Sequence, residues 1–274
     1  MANAPATVRP QQVAVTVSYV VCVVGSMIGV GVFGGTPIAE AAGGALAADA
    51  TLVAPASPAF SIWTVIYLGL AGYTVLQWLP AYTADDRQRR LRLPVAASMV
   101  LNAAWILVVQ AGALWWSVLV IAVLLAVLVR TFLVLVQTSA RGVAERVLVD
   151  GTLGLYLGWV CVATVANVAA ALAAAGFDGG AVAPDWWAVG ILAVVAGIGV
   201  GLAVRGGGRI AVAAAIAWGL VWVVVARAQG DPASTPAAVT AAAAAAAVLG
   251  AALVLLVRRS GQGRRGTDGV AVEA

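Results

Sequence analysis

The sequence predicts an all-α membrane protein. It should be a polytopic helical bundle of about eight transmembrane helices with both termini cytoplasmic. Three observations carry this. Of 274 residues, 63% are hydrophobic and 9% charged, with a mean hydropathy of +1.04, whereas a soluble domain has about 25% charged residues. Eight apolar segments can be read, over residues 13–33, 59–80, 94–111, 114–136, 149–173, 186–204, 209–227 and 236–257. Finally, the Arg residues alternate with the segments. One set of connecting stretches holds Arg9; Arg87, Arg89, Arg90 and Arg92; Arg130, Arg141 and Arg146; Arg205 and Arg209; and Arg258, Arg259, Arg264 and Arg265. The other set holds Glu40, Asp49, Asp178, Asp185 and Asp231, with Arg227 as its single Arg. That is a positive-inside pattern, and it requires an even number of spans. The net charge of +4 is thereby used for orientation, and no nucleic-acid partner is expected. The expected location is a bacterial plasma membrane, with lipid as the surrounding partner.

The first segment, Val13 to Phe33, precedes a small-residue run, AEAAGGALAADA, that looks like a signal-peptidase site. A cleaved signal has a shorter apolar region and a more basic start, so a retained helix is expected. The loop from Gly34 to Ser57 contains Pro37 and Pro55. It is either a lid over the bundle or a mobile surface loop.

The second segment contains FSIWTVIYLGLAGYTVLQW, residues 60–78. Trp63 and Tyr67 are four residues apart and share a helix face. The third contains LNAAW, which places Asn102 and Trp105 three apart. In the fourth, Arg130 lies close enough to the cytoplasmic end to snorkel. Asp150 opens the fifth, where a carboxylate suits the helix N-terminus. The fifth then reads LYLGWVCVATVAN. Its Tyr156, Trp159, Ala163 and Asn167 fall on a single helical stripe. An Asn facing lipid would leave its amide unsatisfied. Asn102 and Asn167 should therefore face the bundle interior and carry Trp105 and Trp159 inward. There they either hold helices together or line a pocket.

Trp78, Trp115, Trp116, Trp186 and Trp187 lie near segment ends and read as an interfacial belt. Trp218 and Trp222 share a face of the seventh segment and read as packing. The Ala241–Ala247 run allows close helix approach. The polar, Gly-rich stretch over residues 259–274 reads as a disordered cytoplasmic tail.

Several chemistries are excluded or unsupported. The chain has no His, which removes His metal sites, His-based triads and His haem ligation. Cys22 and Cys161 lie in apolar runs without a metal or redox spacing. No ionisable group sits at a helix centre, which argues against an ion-coupled pump. No catalytic residue and no metal ligand is identified, and a binding protein is expected rather than an enzyme.

The motifs in the second, third and fifth segments, in this order, resemble the TspO/translocator protein family, also called tryptophan-rich sensory proteins. The family's second helix carries an F…W..LY pattern, to which FSIWTVIY is similar. Its third carries LN..W, matched by Leu101, Asn102 and Trp105. Its fifth carries Y..W...A...N, matched by Tyr156, Trp159, Ala163 and Asn167. The resemblance covers roughly residues 13–173. Three departures stand out. No Trp precedes Trp63 in the first loop, Phe60 precedes Trp63 by three residues rather than four, and Leu155 replaces the usual Pro before Tyr156.

The resemblance implies a five-helix unit over residues 1–176, extended by three transmembrane helices over 177–258. It implies a flat apolar ligand, most readily a porphyrin or other tetrapyrrole and otherwise a sterol-like molecule, in a pocket between helices two, three and five. The first loop would close that pocket. The implied pocket residues are Trp63, Tyr67, Asn102, Trp105, Tyr156, Trp159 and Asn167. No cofactor is required beyond a bound porphyrin. A homodimer is one assembly that the family suggests. Two other readings stay open: a facilitator of small amphipathic molecules, and a porphyrin-degrading enzyme.

Overall fold

The computed structural model describes residues 8–29, 31–32 and 36–270, with side chains over residues 9–259. Among the described residues, all regular structure is helical, and eight helices are long and apolar enough to cross a membrane. They are α1 (Val8–Gly29), α2 (Ile62–Leu76), α3 (Asp86–Gln110), α4 (Leu114–Gln137), α5 (Thr152–Ala174), α6 (Pro184–Arg205), α7 (Ile210–Gln229) and α8 (Thr235–Val270). Short helical turns precede α2, at Ser57–Ser61, and α5, at Arg146–Gly151.

The eight expected segments correspond to these eight helices, with shifted ends. The largest shift at a helix start is at α3, which begins at Asp86 and not near Pro94. The Asp85 carboxylate accepts the Gln88 N–H at 2.9 Å and caps the helix. Pro94 is then accommodated inside the helix, as membrane helices tolerate. Arg87 and Arg92, expected in a loop, are therefore helical and buried. At the other terminus the backbone of α8 stays helical to Val270, across part of the expected disordered tail. Once a long helix is nucleated, each added residue costs little. Residues 271–274 of that tail lie outside the described residues, as do residues 30 and 33–35 at the end of the first expected segment.

α3 packs between α1 and α4, and α4 packs on α5. α2 touches both α1 and α5. α7 packs on α5, while α8 joins α7 to α6. The α5–α7 seam is made by small residues. A Cβ on Gly158 would lie 2.4 Å from the Val212 carbonyl oxygen, and one on Gly154 2.9 Å from the Ala211 Cβ. Gly219 approaches Val162 as closely, at 2.8 Å. With little hydrophobic drive between helices in lipid, such close backbone approach is the main source of adhesion. Gly25 of α1 meets Ala103 of α3 in the same way, at 2.8 Å.

The Arg-rich end is tied by ion pairs. Arg87 donates to Glu145 at 2.6 Å, to Asp150 at 2.7 Å and to Thr138 at 2.9 Å. Arg209 also bonds Asp150, and Arg141 bonds Asp85 at 2.7 Å. Glu145 is fully buried and accepts further bonds from Gln88 Nε2 and the Arg141 N–H, both at 2.7 Å. Asp150 is thus a shared partner of two guanidinium groups, a stronger role than the helix-end carboxylate expected from sequence.

Candidate ligand cavity

Pro58 starts the helical turn Ser57–Ser61 and fixes its backbone, which places Phe60 beside the first turns of α2. From there Trp63 and Tyr67, one helical turn apart, project from the same face of α2. Their rings stack with centroids 5.3 Å apart and planes at 17°. They form one wall of a cavity of about 410 Å³. Trp105 and Ile106 of α3 form the second wall, and Ser26 and Met27 of α1 the third. α1 reaches this position because Gly29 has no side chain; a Cβ there would lie 2.9 Å from Ile106 Cγ2. Pro37, Ile38 and Ala39 of the first loop also line the space. Gln110 Nε2 holds this strand of the loop by donating to the Thr36 carbonyl at 2.6 Å.

The residues expected on α5 stand behind this wall rather than in it. Trp63 makes edge contacts with Tyr156, at 5.7 Å and 71°, and with Trp159, at 6.3 Å and 84°. Phe60 and Trp159 are edge-to-face at 5.6 Å. Tyr156 is fully buried and donates its hydroxyl to the Ser98 carbonyl at 3.0 Å. These offset geometries are the preferred ones for aromatic pairs, and they brace Trp63 from behind.

The two Asn residues both bond across helices. Asn102 Nδ2 donates to Tyr67 Oη at 3.0 Å, which fixes the phenol in the cavity wall. Its second contact is the Cys22 sulfur of α1 at 3.6 Å. Asn167 Oδ1 accepts from Trp105 Nε1 at 2.6 Å, and its Nδ2 donates to Ser117 Oγ at 2.9 Å. Asn167 therefore joins α3, α4 and α5, and it sets the orientation of the Trp105 ring.

A second space of about 30 Å³ lies between the loop and α5, lined by residues that include Trp105, Trp159, Ala163 and Asn167. Phe60 and Trp105 border both spaces. Of the seven residues expected from sequence, Trp63, Tyr67 and Trp105 line the large cavity. Trp159 and Asn167 line the small one. Asn102 and Tyr156 support the walls. The large cavity thus lies between α1, α2, α3 and the loop, whereas the sequence led to a pocket between helices two, three and five. The contribution of α1 was missed. Its signal was the Gly25/Gly29 spacing beside Ser26, in a segment otherwise without motif.

A family model described as TSPO-like protein matches residues 12–256. The chain belongs to the TSPO-like protein family. No curated protein and no solved structure matches the chain. The TSPO-like match runs well past residue 173, where the motifs visible by eye end. It includes α6, α7 and most of α8, so these helices fall within the matched region. Along this TSPO-like chain the cavity lining is apolar and aromatic, with the hydroxyls of Ser26, Ser57, Thr64 and Tyr67 as its polar points. Among the described lining residues there is no carboxylate, Arg or Cys. Such a wall can stack on and hydrogen-bond a flat molecule; it offers no acid–base pair.

Proposed function

We propose that this TSPO-like membrane protein binds a flat, largely apolar small molecule, most readily a tetrapyrrole, in the cavity under the first loop. The observation that carries this reading is the stacked Trp63–Tyr67 pair facing Trp105 across a roofed space of about 410 Å³. That volume lies within the ~300–1,000 Å³ typical of small-molecule sites. Trp63, Tyr67 and Trp105 contact the ligand. Tyr156 and Trp159 brace Trp63, while Asn102 and Asn167 hold Tyr67 and Trp105. Sterol-like molecules, being flat and apolar, are the second ligand class. We also assign the Arg-rich end, and with it both termini, to the cytoplasmic face of a plasma membrane. The supports are the Arg distribution and the even number of spans. A reporter active only outside the cytoplasm should then be silent when fused after residue 274 and active after residue 180.

The ligand reading is tested by titrating the purified protein with a metal-free porphyrin and following quenching of Trp fluorescence. Saturable binding is expected, weakened by Trp63→Ala and unchanged by Trp116→Ala, whose ring is exposed on the bundle surface. Equal binding by both variants would refute the site. Uptake of the porphyrin into proteoliposomes would identify a facilitator. Light-dependent catalytic loss of its absorbance would identify an enzyme.

A further inference from the structure

We infer that α7 latches the roof of the cavity and that Arg227 is the principal bolt. The first loop is rich in Ala and Gly from residue 39 to residue 50, so few of its side chains can anchor it. Gln110 holds its start at Thr36; its later part and the helical turn after it are held from α7, at three points. Arg227 donates through Nη2 to the Ala48 carbonyl. The Ala56 N–H donates to the Trp222 carbonyl at 3.1 Å. Trp218 Nε1 donates to the Ala59 carbonyl at 2.9 Å. Trp218 and Trp222 pack edge-to-face at 5.6 Å, which orders the two side chains on that face.

Arg227 is the Arg that breaks the charge asymmetry of the chain. It is 1% exposed, and its Nη1 donates to the Pro232 carbonyl at 2.7 Å. Burying a guanidinium is costly unless its N–H groups are bonded. Here two of them bond main-chain carbonyls of different loops, and the planar fork suits that task. Between the latch points, Val53 and Ala54 are buried, and Pro37, Ile38 and Ala39, earlier in the same loop, line the large cavity. When the latch is released, the roof lifts. α6–α8 thereby govern access to a site built by α1–α3.

The latch stands on these contacts alone; its effect on ligand exchange rests on the proposed ligand reading. The experiment separates the two. The native thiols Cys22 and Cys161 are buried, so a Val53→Cys variant supplies the reporter thiol for a maleimide, with the parent protein as control. Adding Arg227→Met should accelerate labelling about tenfold or more, and adding Trp218→Phe about fivefold, in line with charged and neutral hydrogen bonds respectively. Exchange of metal-free porphyrin should follow the labelling. Its association and dissociation rates should rise together, leaving Kd within about threefold of the parent, because a gate changes rates in both directions. A variant that merely loosens the wall would raise Kd without a faster association.

Unchanged labelling in both variants, with native near-ultraviolet circular dichroism, would overturn the latch. Should Arg227→Met not fold, Trp218→Phe decides alone. Faster labelling with unaltered porphyrin exchange would uphold the latch and remove the porphyrin from this cavity.

Discussion

The two ends of the bundle are held in opposite ways. At the Arg-rich end, Glu145, Arg87, Asp150 and Arg209 form a chain of ion pairs joining the start of α3 to the α4–α5 and α6–α7 connections. At the cavity end, Arg227 bonds the main-chain carbonyls of Ala48 and Pro232, and the rest of the closure is aromatic packing and single hydrogen bonds. The first arrangement fixes α3, α5 and α7 at one end, because losing Arg87 would strand the fully buried Glu145 charge. The second can open one bond at a time. A membrane bundle that must admit a ligand benefits from this division: one end rigid, the other releasable.

The largest expected effect comes from breaking the rigid end. Arg87→Ala leaves the fully buried Glu145 carboxylate without its guanidinium partner, and loss of about 3–5 kcal/mol of stability is expected. A thermal unfolding midpoint in detergent measures it. The affinity of the remaining folded protein for porphyrin should not change. Replacing both partners, as Arg87→Met with Glu145→Leu, should restore much of the loss, since apolar groups can replace a buried pair without leaving a charge behind. Failure of the double variant to recover would show that the network does more than neutralise itself.

Next comes the seam that transmits α7 to the roof. Gly158→Leu would drive side-chain atoms into the Val212 carbonyl, since even a Cβ would lie at 2.4 Å. A cost of about 1–3 kcal/mol or more is expected from overpacking, together with faster maleimide labelling of Val53→Cys. Gly190→Leu on α6, where a Cβ meets nothing within 4 Å, should do neither. Equal labelling of the two would disconnect the seam from the roof.

Smaller effects are expected inside the cavity. Trp63→Ala removes the ring that stacks on Tyr67, and about a tenfold loss of porphyrin affinity is expected from contacts worth roughly 0.5–1.5 kcal/mol per aromatic pair. The smallest expected difference is none at all. Iron and metal-free porphyrins should bind equally, because the chain has no His and the Tyr67 phenol is already engaged by Asn102. A much tighter iron form with a shifted Soret band would mean axial ligation and would overturn binding by stacking alone.

Much of this protein was legible in its sequence, and the particular residues show why. Apolar length gave eight helices, because a ~30 Å core imposes a minimum run. Trp63 and Tyr67 were placed together by helical periodicity alone, and they do share the cavity wall. Asn102 and Asn167 were placed inside by the cost of an unsatisfied amide in lipid, and both bond neighbouring helices. Periodicity could not say which neighbour each stripe meets. Tyr156 and Trp159 were read as lining one pocket with α2 and α3; both brace Trp63 from behind, and Trp159 also lines the small space beside the loop.

The sequence by itself determined the number of helices, their inward faces and the sidedness of their charges, because each follows from local spacing and the energetics of a single segment in lipid. Only the tertiary structure decided that the cavity takes its third wall from α1, that Asp150 serves two Arg residues, and that Arg227 reaches back to Ala48. Those contacts join residues 59 to 179 positions apart, or depend on a glycine leaving room for another helix. Which distant surfaces meet is settled by close packing between helices, and a hydrophobic pattern does not encode that directly.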